Sequence, residues 1–266
     1  MSRRIVNRLL VGAGLLAAVS VVVLLGPGTA VAALVALWSV LATLEFTNIL
    51  ARAEIRLNRL LLCVLNVITV AAAYFNRLPG FLVAPLAVTF LAGITHKPPR
   101  PRTPVYSSFT VLYLGFLPAH LVMLRNAADG LAPWVTFFPL VLTWTNDTAA
   151  YFIGRLFGRH PLAPNISPNK TLEGLFAGLT TSAILAALWL SRLEPFSSRP
   201  VWWLAVTGLG LGALAHAGDL FESLFKRAVG IKDSSGVLGE HGGFLDRADS
   251  LLFVVPGFYY LLLAVR

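Results

Sequence analysis

The chain has 266 residues, of which 57% are hydrophobic and only 12% are charged, and its mean hydropathy is +0.76. Soluble domains carry about 25% charged residues, so a water-soluble enzyme, a disordered chain and a nucleic-acid-binding module all fit this composition poorly. The formal net charge of +9 comes from short basic groups between apolar runs. That distribution is typical of topology signals and of contacts with phosphates or anionic lipid headgroups. We therefore predict a membrane protein with no nucleic-acid partner.

Apolar runs follow one another along the whole chain. A helix needs about 20 apolar residues to cross the hydrocarbon core of a membrane. Runs of this kind lie at 5–25, 29–50, 58–75, 79–95, 105–124, 132–153, 172–191, 201–221 and 250–265. The pattern predicts an all-α, polytopic membrane helix bundle of about nine transmembrane helices, which forms a single integral-membrane domain over residues 1–266.

The basic residues indicate the orientation of this bundle. If the N-terminus is cytoplasmic, 16 of the 21 Lys and Arg fall on the inner side and five on the outer side. This bias satisfies the positive-inside rule, and it predicts a multi-pass protein of the cell (inner) membrane with a cytoplasmic N-terminus. A cleaved signal peptide is the alternative for the first run. An uncleaved anchor is favoured because the next apolar run begins at once.

The acidic residues are concentrated in the second half of the chain. Nine of the 12 Asp and Glu lie at or after Asp147. We therefore interpret residues 1–130 mainly as scaffold spans and residues 144–250 as a catalytic half with a cytoplasmic-facing site.

The first polar group of this half, Asn146 and Asp147, interrupts a run that would otherwise insert easily. An Asp at the centre of a span costs about 2.5–3.5 kcal/mol on insertion scales, so it should face a cavity or a partner. A functional carboxylate and a carboxylate that only ties helices together both remain open.

The second polar group precedes the apolar run at 172–191. Ser167, Lys170 and Thr171 would bring hydroxyls and an ammonium to a helix N-terminus, which is a ready anion site. A simple helix cap explains Ser167 or Thr171 alone. Gly154 and Gly174 belong to small-residue spacings that indicate close helix packing and that permit a homodimer.

The third polar group combines acids and bases near the end of the chain. On a helix, the spacing places Asp219, Glu222, Ser223 and Lys226 on one face. Asp246 and Asp249 are spaced three residues apart before the last run. Carboxylates from two helices make a hard-oxygen site suited to Mg²⁺, and flanking Lys and Arg match a polyphosphate. The alternative is a solvated charged loop.

The same residues carry a family resemblance. Ser223-Leu-Phe-Lys226-Arg227, Lys232-Asp233 and His241-Gly-Gly-Phe-Leu-Asp246-Arg247-Ala-Asp249 resemble, with fixed spacing, the signature of phosphatidate cytidylyltransferases (CDP-diacylglycerol synthases). Asn146-Asp147 and the stretch from Ser167 to Gly174 resemble two further motifs of that family. The chain departs from the pattern at Ser235, where Gly is usual, at Gly239-Glu240, where Pro-Gly is usual, and at Ala248, where a larger residue is usual.

The resemblance implies transfer of CMP from CTP to phosphatidic acid in a membrane lipid environment, with Mg²⁺ and K⁺ as cations. It implies metal ligands at Asp219 and Asp246, with Asp249 and Asp147 as further candidates. The catalytic residues implied are Asp219, Lys226, Arg227, Asp246 and Asp249. The substrate-binding residues implied are Asn146, Asp147, Ser167, Lys170, Thr171, Ser223, Lys232, His241 and Arg247.

Two other classes of function remain as alternatives. A CTP-dependent lipid kinase or a cytidylyltransferase for another lipid would use a similar phosphate site, and the acyl-chain pocket would distinguish them. An ion-coupled transporter would show paired polar interruptions in two related halves. In this chain the polar residues lie in one half, which disfavours a transporter.

Overall fold

The computed structural model describes residues 3–94, 101–127, 132–237 and 242–266. Its first half is a series of helices, in which the short α4 and α5 share the fourth predicted run. The helices are α1 (Arg3–Leu25), α2 (Gly28–Arg52), α3 (Arg59–Tyr74), α4 (Leu78–Phe81), α5 (Val83–Ile94), α6 (Arg102–Val111) and α7 (Leu117–Ala127). A π-helical segment, Leu112–Phe116, joins α6 to α7 without a break.

The second half contains the longest helices and one small sheet. Its elements are α8 (Ala132–Phe157), β1 (Pro161–Ala163), β2 (Ser167–Thr171), α9 (Leu172–Leu190), α10 (Val201–Ala228) and α11 (Leu251–Val265). A 3₁₀ turn, Leu245–Arg247, precedes α11. The all-α prediction is confirmed for the bundle. The stretch before α9 differs from it, because β1 and β2 pair there as an antiparallel hairpin.

The apolar helices confirm a membrane protein. Among the residues that the structure describes, four helical stretches are long and apolar enough to span a bilayer: Gly28–Arg52, Arg102–Ala127, Leu172–Leu190 and Val201–Ala228. Shorter apolar helices lie at Gly12–Leu25, Arg59–Tyr74, Val83–Ile94 and Leu251–Val265. Each predicted apolar run therefore coincides with helix, because hydrophobic length and helix propensity both act locally along the chain.

Glycines let α8, α9 and α10 pack closely. A Cβ added at Gly154 of α8 would lie 3.5 Å from the Cα of Gly174 in α9. A Cβ at Gly208 of α10 would collide with the carbonyl oxygen of Ser182 in α9. Small residues allow such backbone approach between membrane helices. The predicted close packing is therefore seen within the chain, and the homodimer stays a separate prediction.

Two clusters of buried aromatic side chains contribute to the core, and the second of them joins the two halves of the chain. In the first, Phe258 of α11 stacks on Phe196 with ring centroids 5.6 Å apart and meets Phe138 of α8 at 4.8 Å. In the second, Phe46 of α2 contacts Tyr113 of the π-helical segment at 5.9 Å. Leu245 and Leu252 belong to that second cluster, which places the beginning of α11 against α2 of the first half.

Candidate active site

Three aspartates from different elements lie near one another at one end of the bundle. Asp147 is on α8, Asp219 is on α10, and Asp249 lies two residues before the start of α11. Burial raises the pKa of the Asp249 carboxyl most, and the negative charges of Asp219 and Asp147 raise it further, to about 8. The three carboxylates therefore repel one another, and a bound cation would stabilise their charged forms.

Asp219 is paired with a lysine from the hairpin. The Lys170 Nζ lies 2.7 Å from Asp219 Oδ2, and the Ser223 hydroxyl donates a hydrogen bond of 3.3 Å to Asp219 Oδ1. About a third of the Asp219 side chain is exposed. The structure thus brings together the second and third predicted polar groups, because β2 delivers Lys170 to the side of α10.

Thr171 has the simpler of its two predicted roles in this structure. Its Oγ1 accepts a hydrogen bond of 3.1 Å from the backbone N–H of Gly174, so it is the N-cap of α9. Ser167 lies at the other end of β2 and is partly buried. The role of Ser167 and Lys170 in binding an anion stays a prediction.

A buried lysine connects α10 with the 3₁₀ turn. Lys226 forms ion pairs with Glu222, one turn earlier on α10, and with Asp246, whose Oδ1 lies 2.7 Å from Lys226 Nζ. The side chains of Lys226 and Asp246 are less than one-tenth exposed, and Glu222 is only 1% exposed. Two acids thus surround one base in this structure, and the catalytic role of Lys226 stays a prediction.

Asp246 accepts several further hydrogen bonds. Its Oδ2 accepts from the backbone N–H of Gly243 at 2.7 Å and from the N–H and hydroxyl of Ser234, each at 2.9 Å. Burial would raise the pKa of this carboxyl, but the hydrogen bond and charge of Lys226 outweigh burial and hold the pKa below its ordinary value. A metal would have to replace some of these donors, so metal ligation by Asp246 stays a prediction.

A glycine with a left-handed backbone shapes the turn around Asp246. Gly242 has φ of +74°, and a Cβ at this position would lie 2.5 Å from Asp246 Oδ2. Only glycine adopts this conformation without strain. The paired glycines therefore allow the chain to form a tight turn around the carboxylate.

The first half contributes two site residues that the sequence analysis assigned to the scaffold. Glu45 of α2 is buried and accepts hydrogen bonds from the N–H groups of Phe244 and Leu245, at 3.0 and 2.9 Å. Trp38, two turns earlier on α2, donates its indole N–H to the Phe244 carbonyl at 2.9 Å. Glu45 could have been suspected, because it is an acid within an apolar run, which is the signal that marked Asp147.

Asn146 lies at the contact of α8, α9 and α10. Its Oδ1 accepts a hydrogen bond of 3.2 Å from the Ser182 hydroxyl, and its Nδ2 donates to Asp147 Oδ1 at 3.1 Å. The Nε2 of His216 lies 3.4 Å from the same Nδ2. Asn146 is fully buried, so in this structure it ties the three helices together and orients Asp147.

The remaining predicted residues lie at the edge of this group. Arg227 is exposed and donates to the backbone carbonyls of Ile166 and Ile231, at 3.0 and 2.7 Å. It therefore fastens the hairpin to the end of α10 and does not reach the aspartates by these contacts. Lys232 is exposed. His241 lies outside the described residues, so its predicted role is unaddressed.

A cavity of about 500 Å³ opens next to the aspartates. Its walls are mainly apolar side chains of α1, α2, α7, α8 and α11, including Leu15, Leu41, Leu121, Leu140 and Val255. Its polar end is formed by Asp147, Asp246, Arg247 and Asp249. The cavity is therefore amphipathic, with mainly apolar walls and a group of charged side chains.

The aspartates by themselves supply only part of the coordination that a metal ion needs. Within the described ranges, no group of three or more Asp, Glu, His and Cys side chains is arranged to hold an ion by itself. Mg²⁺ is commonly bound by one or two carboxylates together with substrate phosphates. Two of the mutually repelling aspartates therefore fit a Mg²⁺ ion that is shared with a phosphorylated substrate.

The fold and site together define a helical membrane protein with a charged site at the end of an apolar cavity. The profile of the cytidylyltransferase family matches residues 6–265 of the chain, and the chain belongs to that family. The expected resemblance is thereby confirmed at the level of the family.

Individual relatives are similar to the chain over a shorter stretch. The phosphatidate cytidylyltransferases of Bacillus subtilis and Aquifex aeolicus are 37% and 38% identical to it, over 59% of this chain and 57% of each relative. That of Staphylococcus epidermidis is 44% identical over 55% of this chain and 54% of the relative. The matches thus span somewhat more than half the length of these relatives.

Proposed function

We propose that this protein transfers CMP from CTP to phosphatidic acid, giving CDP-diacylglycerol and pyrophosphate. One observation carries the proposal: Asp147, Arg247 and Asp249 line an apolar cavity of about 500 Å³, and Asp219 lies close enough to Asp249 to raise the pKa of its carboxyl. Phosphatidic acid has an apolar tail that fits the apolar walls, and its anionic headgroup would bind Arg247 and a cation held by the aspartates. The names of the relatives support the same activity.

The reaction is a nucleophilic substitution at the α-phosphorus of CTP. An oxygen of the phosphatidic acid phosphate forms a bond to that phosphorus, and the bond to the oxygen that bridges to the β-phosphorus breaks, so pyrophosphate leaves with the electron pair. The lipid phosphate is itself the nucleophile, so the protein need not supply an activated Ser, Cys or His. Its task is to hold two anions in line and to compensate their charge.

Different residues of the site are assigned to the two substrates and to the metal ion. Arg247 lines the charged end of the cavity and is assigned to the lipid phosphate. Lys170, held against Asp219, is assigned to the CTP phosphates, together with Lys232. Asp219 and Asp249, with Asp147 as an alternative to either, would hold Mg²⁺, which when bound neutralises phosphate charge; K⁺ as a second cation follows from the resemblance alone.

We also propose a topology for the membrane-spanning part of the chain. We assign about nine transmembrane helices, a cytoplasmic N-terminus and a location in the inner membrane, on the basis of the 16-to-five distribution of basic residues. Cysteine labelling from either side of sealed vesicles tests this topology. A cysteine introduced at Arg159 should react from the cytoplasmic side and one at Arg199 from the outer side.

The activity test uses the purified full chain in detergent with lipid. Phosphatidic acid is supplied with CTP labelled at the α-phosphate, with and without Mg²⁺. Mg²⁺-dependent label in the lipid fraction with release of pyrophosphate is expected. Label entering lipid only from γ-labelled CTP would replace the proposal with a CTP-dependent lipid kinase, and transfer to another lipid alone would replace the acceptor.

A further inference from the structure

Glu45 is a buried carboxylate that belongs to none of the sequence motifs. It lies on the apolar helix α2 and is only 4% exposed. Its Oε1 accepts from the Ser235 hydroxyl at 2.6 Å and from the Phe244 N–H at 3.0 Å. Its Oε2 accepts from the Ser234 hydroxyl and from the Leu245 N–H, each at 2.9 Å. All four donors lie between α10 and α11, and we call the described residues that contain them, 234–237 and 242–245, the α10–α11 loop.

The two backbone donors explain why a carboxylate is placed here. The N–H groups of Phe244 and Leu245 stand at the start of the 3₁₀ turn, where helical N–H groups have no acceptor within their own helix. Glu45 supplies that acceptor from a helix about 200 positions earlier in the chain. Trp38 of α2 donates to the Phe244 carbonyl. Helix α2 therefore forms hydrogen bonds with both the carbonyl and the N–H of the peptide bond between Phe244 and Leu245.

Ser234 links Glu45 to the rest of the site. Its hydroxyl lies 2.9 Å from Glu45 Oε2 and also 2.9 Å from Asp246 Oδ2. A hydroxyl has a single proton to donate, so the two carboxylates compete for it. Asp246 is in turn paired with Lys226. A continuous chain of polar contacts therefore runs from α2 through the loop to α10.

The loop and Glu45 are also in steric contact. A Cβ added at Gly243 would collide with the Ser234 hydroxyl and with the Glu45 carboxylate. The loop therefore fits around Glu45 with no room for another side chain. Immediately after this contact the chain reaches Arg247 and Asp249, which line the charged end of the cavity.

We infer that Glu45 is a positioning residue that holds the α10–α11 loop in the conformation in which Arg247 and Asp249 face the cavity. This inference rests on the proposed function, since those two residues are assigned to the lipid phosphate and the metal. Glu45 contacts the loop and is not among the residues that line the cavity. Without its charge, a smaller fraction of molecules has the binding-competent loop.

The expected effect follows from that fraction. The apparent dissociation constant of a ligand equals its intrinsic value divided by the fraction of competent protein. Hydrogen bonds to a charged acceptor are about twice as strong as neutral ones. Glu45→Gln replaces one acceptor oxygen with an NH₂ group that faces two donors. We expect the KM for phosphatidic acid to rise about tenfold, while kcat at saturation falls less than about threefold, because bound substrate restores the loop.

The experiment compares Glu45→Gln with Thr47→Val. Thr47 is buried on the same helix, and its hydroxyl donates to the Leu44 carbonyl within α2, so the control perturbs α2 without touching the loop. KM and kcat are measured for both variants. Hydrogen–deuterium exchange of peptides covering 232–250 is measured in the absence of substrate, and faster exchange is expected in Glu45→Gln alone.

Ser235→Ala is the second variant, in case Glu45→Gln fails to fold. It removes one donor to Glu45 and leaves every charge in place, and a smaller change in the same direction is expected. An unchanged KM together with unchanged exchange overturns the inference. A fall in kcat at constant KM also overturns it, because that result indicates loss of folded enzyme. The exchange data remain decisive for Glu45 even if the wild-type chain transfers no CMP.

Discussion

The Lys226 ammonium lies 2.7 Å from Asp246 Oδ1 and also pairs with Glu222, so one buried lysine is the ion-pair partner of two buried carboxylates. The pair joins α10 to the turn before α11, twenty residues further along the chain. Breaking such a pair on one side leaves an uncompensated buried charge, which costs about 3–5 kcal/mol. Lys226 therefore holds the site together as well as contributing charge to it.

The first prediction concerns this lysine. Lys226→Met should lower the free energy of unfolding by about 3–5 kcal/mol, because Glu222 and Asp246 lose their counter-charge. Thermal unfolding in detergent measures the change. Lys232→Met, at an exposed lysine, should leave the midpoint unchanged. Adding Glu222→Gln to Lys226→Met should recover part of the loss, and equal midpoints for Lys226→Met and the control would contradict the prediction.

The second prediction separates two aspartates by their surroundings. Asp219 is one-third exposed and has side-chain contacts with Lys170 and Ser223, whereas the buried Asp246 accepts hydrogen bonds from Ser234 and Gly243. Asp219→Asn should raise the Mg²⁺ concentration for half-maximal activity about tenfold or more, without loss of thermal stability. Asp246→Asn should lower the unfolding midpoint, because buried donors lose their acceptor. A similar effect of both variants on Mg²⁺ dependence would refute the distinction.

The third prediction tests the apolar cavity as the site of the lipid tail. Leu15→Trp on α1 fills part of its wall and should raise the KM for long-chain phosphatidic acid several-fold, with a smaller effect on a short-chain analogue. Leu25→Trp on the same helix is the control, since Leu25 is 81% exposed and does not line the cavity. An equal rise in KM for both chain lengths would show that the tail binds elsewhere.

The fourth prediction uses two glycines of α10 that differ only in their neighbours. A Cβ at Gly208 collides with the backbone of α9, whereas a Cβ at Gly210 meets nothing within 4 Å. Gly208→Ala should therefore destabilise the protein by about 1–3 kcal/mol through overpacking. Gly210→Ala should be neutral or stabilising by up to about 1 kcal/mol, because alanine favours a helix. Unfolding midpoints that rank the other way would show that α9 and α10 are not in contact here.

The class of the protein and the positions of its helices could be predicted from the sequence, because both depend on local properties. Hydrophobic length determines which runs become helices in a membrane. The motif residues within 223–249 are close together in the chain, so the resemblance to the family could be identified from their spacing. Thr171 as a cap of α9 follows from its place directly before an apolar run.

The partners of the buried charges were decided by tertiary structure alone. Glu45 meets Leu245 across 200 positions, and Lys170 meets Asp219 across 49. No periodicity along the chain encodes such contacts, since they depend on how helices are arranged around the loop. The same reason explains why residues 1–130, expected mainly as scaffold, supply Glu45 to the site. The sequence alone identifies the acidic and basic side chains of the candidate site and their order along the chain. The packing of α2 against the α10–α11 loop determines which of these side chains meet and how they are held.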